Sequence, residues 1–324
     1  MKKILGIGNA LVDVLIRLES DYFLDEYGIP KGSMQLVNYD FANLLTMAVK
    51  NKNPQVSSGG SAANTIHGLA QLGSQTAYIG KIGNDKFGKL FADDLEMNKI
   101  KPMLSYGIAE TGRAITLITP DSERTFATYL GAAIELDAAD MSDILFKGFD
   151  LLHIEGYLVQ NRSLVEKSVA LAKRANLKVS LDMASYNVVE DNKDFLQKII
   201  KKYVDVVFAN EEEAKAMTGL NPEAALNEIA KYCEIAVVKI GAEGSLIKKN
   251  DKTYSVQPIK AQCIDTTGAG DLYASGFLYG YSKDMSMEMC GAIGSLTAGK
   301  VVETIGAKIG DSAWYEIKRI INAL

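Results

Sequence analysis

The heptapeptide Asp265-Thr266-Thr267-Gly268-Ala269-Gly270-Asp271 concentrates groups that could act on a hydroxyl and an anion together. Two glycines around one alanine keep side chains out of a turn, and Leu272 to Tyr281 behind them reads as an amphipathic helix. The amides of Gly268, Ala269 and Gly270 can therefore point together from a helix N-terminus and cradle an anion. Asp271 stands beside that cradle, where its own charge would repel a phosphate. The conflict disappears if Asp271 takes a proton from a hydroxyl while the amides steady a phosphoryl group in transit. A glycine-rich turn with an acid set favourably in the helix dipole fits the same residues.

Other stretches carry weaker signals. Ser58-Gly59-Gly60-Ser61-Ala62-Ala63-Asn64 is a second glycine turn entering a helix; Gly60 permits close approach of a ligand to the backbone. Asn64 can face vicinal hydroxyls or simply solvent. Asp13 follows a strand expected over Ile4 to Ile7, and polar residues beyond strand ends are where open α/β sheets bind ligands. Gly6-Ile7-Gly8 begins a dinucleotide fingerprint, but Leu11 occupies the place of its third glycine. Gly83 to Leu90 imitates a phosphate loop yet ends in Leu90, where a Ser or Thr must bind metal, and is read as a turn and helix start. Arg124 belongs to a hairpin: Ala114 to Thr119, a turn Pro120-Asp121-Ser122-Glu123, and Arg124 to Tyr129. It can reach phosphate or stay solvated.

The elements that must position these groups alternate from Leu151 onward. Strands are expected at Leu151–Ile154, Lys178–Asp182, Val204–Phe208 and Ile235–Ile240. Helices are expected at Ser163–Arg174, Asp194–Tyr203, Asn210–Thr218, Pro222–Tyr232, Met285–Lys300 and Ser312–Ile321. A strand is also expected just before Asp265. Such alternation implies a mostly parallel sheet covered by helices on both faces. The 324 residues, 48% of them hydrophobic, suffice for one large core. Forty acids against 35 bases give a net charge of −5, which argues against nucleic acid or an anionic membrane as partner and for small molecules. Cys233, Cys263 and Cys290 have neither disulfide nor metal spacing, the only histidines are His67 and His153, and the chain reads as cytoplasmic.

Asp265 to Asp271 resembles the C-terminal signature of the ribokinase-like (PfkB) carbohydrate kinases, and Gly59 to Asn64 resembles their glycine-pair motif. Asn210-Glu211-Glu212-Glu213 is similar to their Asn-x-x-Glu motif. The three lie in the family's order and the resemblance spans the chain from Ile4 to the last helix. The opening Gly8 to Asp13, Asp21 to Tyr27 and the segment Thr119 to Ala133 are most similar to the adenosine kinase branch. The resemblance implies a ribokinase-like three-layer α/β/α fold, with a mostly parallel central sheet and a small β-sheet lid. One domain would cover residues 1–324, with lid segments near 12–38 and 106–131.

The resemblance also implies roles. Asp271 would deprotonate a primary 5′-type hydroxyl, the amides of Gly268, Ala269 and Gly270 would form the anion hole, and Arg124 would close over phosphate. Asp13, Gly59, Gly60 and Asn64 would hold ribose hydroxyls. ATP would rest at Asn210, Lys239, Gly241, Gly244 and Thr267. Glu213, with Asn210, would organise Mg²⁺ through water, and Asp265, Thr267 and the loop around Val301 to Gly306 would flank a monovalent cation, K⁺. The family branch offers a phenylalanine pair to a purine; Tyr157 and Tyr186 stand in for it here. Three functions follow: an ATP-dependent kinase of a nucleoside such as adenosine, a free-sugar kinase of the ribokinase or fructokinase type, or a non-catalytic sugar or nucleoside sensor. Monomer and homodimer are both compatible with these motifs.

Overall fold

The computed structural model describes residues 2–121 and 123–323; Ser122 of the expected hairpin turn lies outside the described residues. The strands are β1 Ile4–Ile7, β2 Leu11–Arg17, β3 Met34–Leu36, β4 Gln55–Gly59, β5 Thr76–Ile82, β6 Ile100–Tyr106, β7 Thr111–Ile118, β8 Arg124–Gly131, β9 Leu151–Glu155, β10 Lys178–Asp182, β11 Val206–Asn210, β12 Ile235–Lys239, β13 Ser245–Lys249 and β14 Lys252–Val256. They form two sheets. The larger has nine strands in the order β14-β13-β12-β11-β10-β9-β1-β5-β6 and is parallel from β12 to β6, with β13 and β14 added antiparallel. The smaller has the order β3-β8-β7-β2-β4.

The large sheet is buried on both faces because its inner strands are continuous apolar runs. In β1, Ile4 joins one hydrophobic core and Leu5 and Ile7 the other, as the two-residue repeat of a strand requires. The helix Ser61–Gln71 packs directly on β1, and a Cβ at Gly6 would collide with Ile66. At Gly8 it would collide with the Glu155 carboxylate. These two glycines therefore serve close packing, and the apparent start of a dinucleotide fingerprint is accounted for. Gly83 to Leu90 is a turn and helix start, as expected: Asp85 caps the helix Lys86–Met97 by accepting from the amides of Phe87 and Gly88 at 2.8 and 2.9 Å.

Some local expectations are corrected. No strand precedes Asp265: β14 stops at Val256, Pro258 has no N–H for a ladder, and the chain reaches the glycine turn as coil, tied by the amides of Ile264 and Asp265 to the Val302 carbonyl. The helix expected from Asp194 begins at Tyr186; Asn192 has non-helical dihedrals (φ −126°, ψ 19°), and that kink broke the apolar period. Strand β6 was masked in the sequence by Pro102, which is tolerated because β6 is an edge pairing only with β5. Likewise β4 is short and polar, yet it pairs antiparallel with β2 and delivers the chain to Gly59.

Candidate active site

Asp271 lies in the first turn of the helix Ala269–Ser282. Ser61 Oγ donates to its Oδ1 at 2.7 Å and Asn64 Nδ2 to its Oδ2 at 3.0 Å. Both donors come from the first turn of the helix Ser61–Gln71, so two helix N-termini meet at one carboxylate. Burial pushes the Asp271 carboxyl up to about 6; the Asn64 and Ser61 bonds oppose that rise, Asp182 adds to it and Lys239 opposes it. A carboxylate so placed is ionised near neutral pH and basic enough to accept a proton.

Gly268 precedes the helix in the left-handed region, φ +76°. Of the three cradle amides, that of Ala269 donates to the Thr266 carbonyl at 3.1 Å. Among the described residues those of Gly268 and Gly270 have no protein acceptor, so the cradle rests on these two. Gly270 faces Lys239, whose Nζ would stand 3.0 Å from a Cβ placed there. Arg124, at the start of β8, binds both the Asp265 carboxylate and the Thr267 hydroxyl, linking the smaller sheet to the glycine turn. Asp265 is fully buried and its Oδ2 also accepts from the Gly306 amide. Its charge is thus balanced by Arg124 in this arrangement.

The carboxyl ends of the parallel strands supply a row of polar residues. Glu155 ends β9, Asp182 ends β10, Asn210 ends β11 and Lys239 ends β12, with Asp182 in register with Glu155 and Asn210 with Lys239. Lys239 Nζ binds Asp182 Oδ2 at 2.9 Å. Burial would lower the Lys239 ammonium, but Asp182, Glu213 and Asp271 outweigh it and raise it. Asn210 and Glu213 form a reciprocal capping box: Glu213 accepts from the Asn210 amide and Nδ2 at 2.7 and 2.8 Å, and its own amide donates back at 2.8 Å. Burial raises the Glu213 carboxyl to about 7, with Lys239 pulling the other way. Both Glu213 oxygens already accept, and among the described residues no cluster of three metal-ligating side chains exists. The donor set fits Mg²⁺ held through water and not a directly coordinated ion.

The acceptor side is built on β2 and the second glycine turn. Gly60 has φ +95°, and a Cβ at Gly59 would collide with the Asp13 carboxylate, so this turn wraps directly over Asp13. Burial raises the Asp13 carboxyl to about 7, with Lys308 opposing and Asp271 adding. Asn64 Oδ1 is buried with no protein partner. Tyr157 donates to the Ala184 carbonyl at 3.4 Å; burial, with Asp271 and Glu155 adding, pushes its phenol well up. Tyr186 is half exposed. Gly241 (φ +53°) faces open space, whereas Gly244 is needed because a Cβ there would strike the Val256 carbonyl. Glu155, Asp182 and Ser61 escaped the sequence reading. Glu155 is buried, accepts from the Asn9 amide, Asn9 Nδ2 and the Ala62 amide at 2.8, 2.7 and 2.9 Å, and has its carboxyl raised to about 7 by burial.

A buried carboxylate beside two free amides, at the carboxyl ends of a doubly wound sheet, fits one class of enzyme, a kinase that moves a phosphoryl group to an alcohol. The chain belongs to the pfkB family of carbohydrate kinases, whose profile matches residues 33–314. It is similar, at 34% identity and a TM-score of 0.88, to the structure of adenosine kinase from Sinorhizobium meliloti, covering 98% of this chain and 99% of that one. An uncharacterized sugar kinase from Archaeoglobus fulgidus is 30% identical over 251 residues, 75% of this chain and 97% of that protein. A 5-dehydro-2-deoxygluconokinase from Listeria monocytogenes is 30% identical over 281 residues, 81% of this chain and 86% of that protein.

Proposed function

We propose that this kinase transfers the γ-phosphoryl group of ATP to the primary, 5′-type hydroxyl of a ribose-containing acceptor, with a nucleoside such as adenosine as the first candidate. The observation that carries the reading is the Asp271 carboxylate, held by Ser61 and Asn64 beside the free amides of Gly268 and Gly270. Asp13, the Gly59-Gly60 turn and the Asn64 side-chain amide suit vicinal hydroxyls of the ring. The acceptor oxygen attacks the γ-phosphorus as its proton passes to Asp271. The bond from that phosphorus to the bridging oxygen breaks, and ADP leaves with the electron pair. The two amides and Arg124 offset charge on the equatorial oxygens. Lys239 adjoins the cradle and, with Gly241, suits the nucleotide. Hydrated Mg²⁺ beside Glu213 would neutralise charge on the β- and γ-phosphates. The smaller sheet serves as the lid that excludes water, and the three free thiols suit a cytoplasmic enzyme.

Replacing Asp271 by Ala should lower kcat by about two to four decades while leaving ATP affinity nearly intact. Wild-type single-turnover rates in that variant would remove Asp271 from the role. A second acceptor class, a free sugar or sugar acid, is favoured by Tyr157, whose hydroxyl replaces an apolar ring near the acceptor and can bond a sugar. ADP release measured over adenosine, inosine, ribose and fructose decides between them. Turnover with adenosine or inosine alone supports the nucleoside; turnover with ribose or fructose alone transfers the assignment to sugars.

A further inference from the structure

At the opposite end of the large sheet from Asp271, where β1, β5, β6 and β9 begin, a cavity of about 870 Å³ opens. Lys3, Lys99 and Lys101 reach it from the strand starts, Lys147 from the loop before β9 and Lys318 from the C-terminal helix, and all five are exposed. No Asp or Glu lines it. Among the described residues none of the five lysines forms an ion pair, whereas twelve other lysines do. In a chain of net charge −5 this is a local reversal of sign.

Ser74 and Thr76, only 8% and 6% exposed, also belong to the wall. Phe149 and Met97 add an apolar wall. The helix Ser61–Gln71 ends here, and the half-charge of its C-terminus opposes an anion, but five ammonium groups outweigh it.

We propose that this cavity binds a small molecule bearing a polyphosphate group, at a site distinct from the Asp271 cleft. The volume lies within the range of small-molecule sites. Five ammonium groups without an ion-pair partner match several phosphate charges. The helix Ser61–Gln71 touches both places: its first turn holds Asp271 and its last turn borders the cavity, about 16 Å away at 1.5 Å per residue.

Calorimetric titration of the whole enzyme with inorganic tripolyphosphate tests this. The comparison is with a Lys101→Gln/Lys147→Gln/Lys318→Gln variant, whose exposed positions lie outside the catalytic machinery. Wild type should bind with an affinity that falls steeply with added salt. The variant should bind at least about tenfold more weakly while keeping kcat and the KM for ATP. Lys101→Gln alone should show a smaller loss in the same direction, should the triple variant fold poorly. Repeating the titration with GTP separates the sources: a lysine-dependent gain over tripolyphosphate identifies a nucleotide, and equal affinity identifies bare polyphosphate. Equal tripolyphosphate affinity in wild type and both variants, or no binding to wild type, overturns the proposal.

Discussion

Asp271 is set between opposing influences, with burial raising its pKa and two donors, Asn64 and Ser61, holding it down at about 6. Activity should therefore fall on the acid side as the carboxylate takes up a proton, over the range from about 6 upward that it shares with Asp13, whose carboxyl titrates near 7. Removing either donor destabilises the charged form. The acid limb of kcat/KM in Ser61→Ala or Asn64→Ala should consequently move to higher pH, by roughly one unit for a lost bond to a charged group. A limb that stays in place in both variants would show that another group controls it. At this scale the motif residues were noticed because three stretches resembling one family's motifs lie in that family's order, a single glycine turn before a helix being common. Glu155 and Asp182 were not, since a lone acid after an apolar run looks like ordinary strand termination. Their shared position as the last residue of adjacent parallel strands is the signal that would have found them.

The glycine turn works through backbone shape. Gly268 holds φ +76°, and a Cβ there would lie 2.5 Å from the Ala307 Cβ, so a side chain meets both strain and collision. Gly268→Ala should cost about 1–3 kcal/mol in urea unfolding and reduce kcat, because the amides beside Asp271 shift with the turn. Unchanged stability and turnover would show that the turn can relax. Elements with a steady apolar period were read with their type correct. The exceptions are physical: Pro102 disguised an edge strand, the Asn192 kink divided one helix, and β4 is a polar edge strand of the smaller sheet, paired only with β2. Pairing between β2 and β4, or between β3 and β8, joins segments far apart in the chain, which no local pattern records.

Over the whole molecule, buried acids make stability depend on pH in an unusual direction. Burial raises the carboxyls of Asp13, Glu155 and Glu213 to about 7 and that of Asp271 to about 6. Between the ordinary range near 4 and those values the folded chain carries more protons than the unfolded one, so each group's contribution falls as pH rises. His67 and His153, lowered by burial to about 3 and about 4, act oppositely, but only below the ordinary histidine value of 6.5. The thermal midpoint of the unliganded enzyme should therefore fall from pH 6.5 to about 8, as followed by calorimetry. A midpoint that does not fall across that interval would mean these carboxyls are already ionised at pH 6.5. The meeting of two helix N-termini at Asp271 has a consequence for descent. An attractive potential made of main-chain dipoles belongs to no single codon, so side chains around the acceptor can be exchanged while the pull on phosphate persists. A lineage built this way can change its diet without rebuilding its engine.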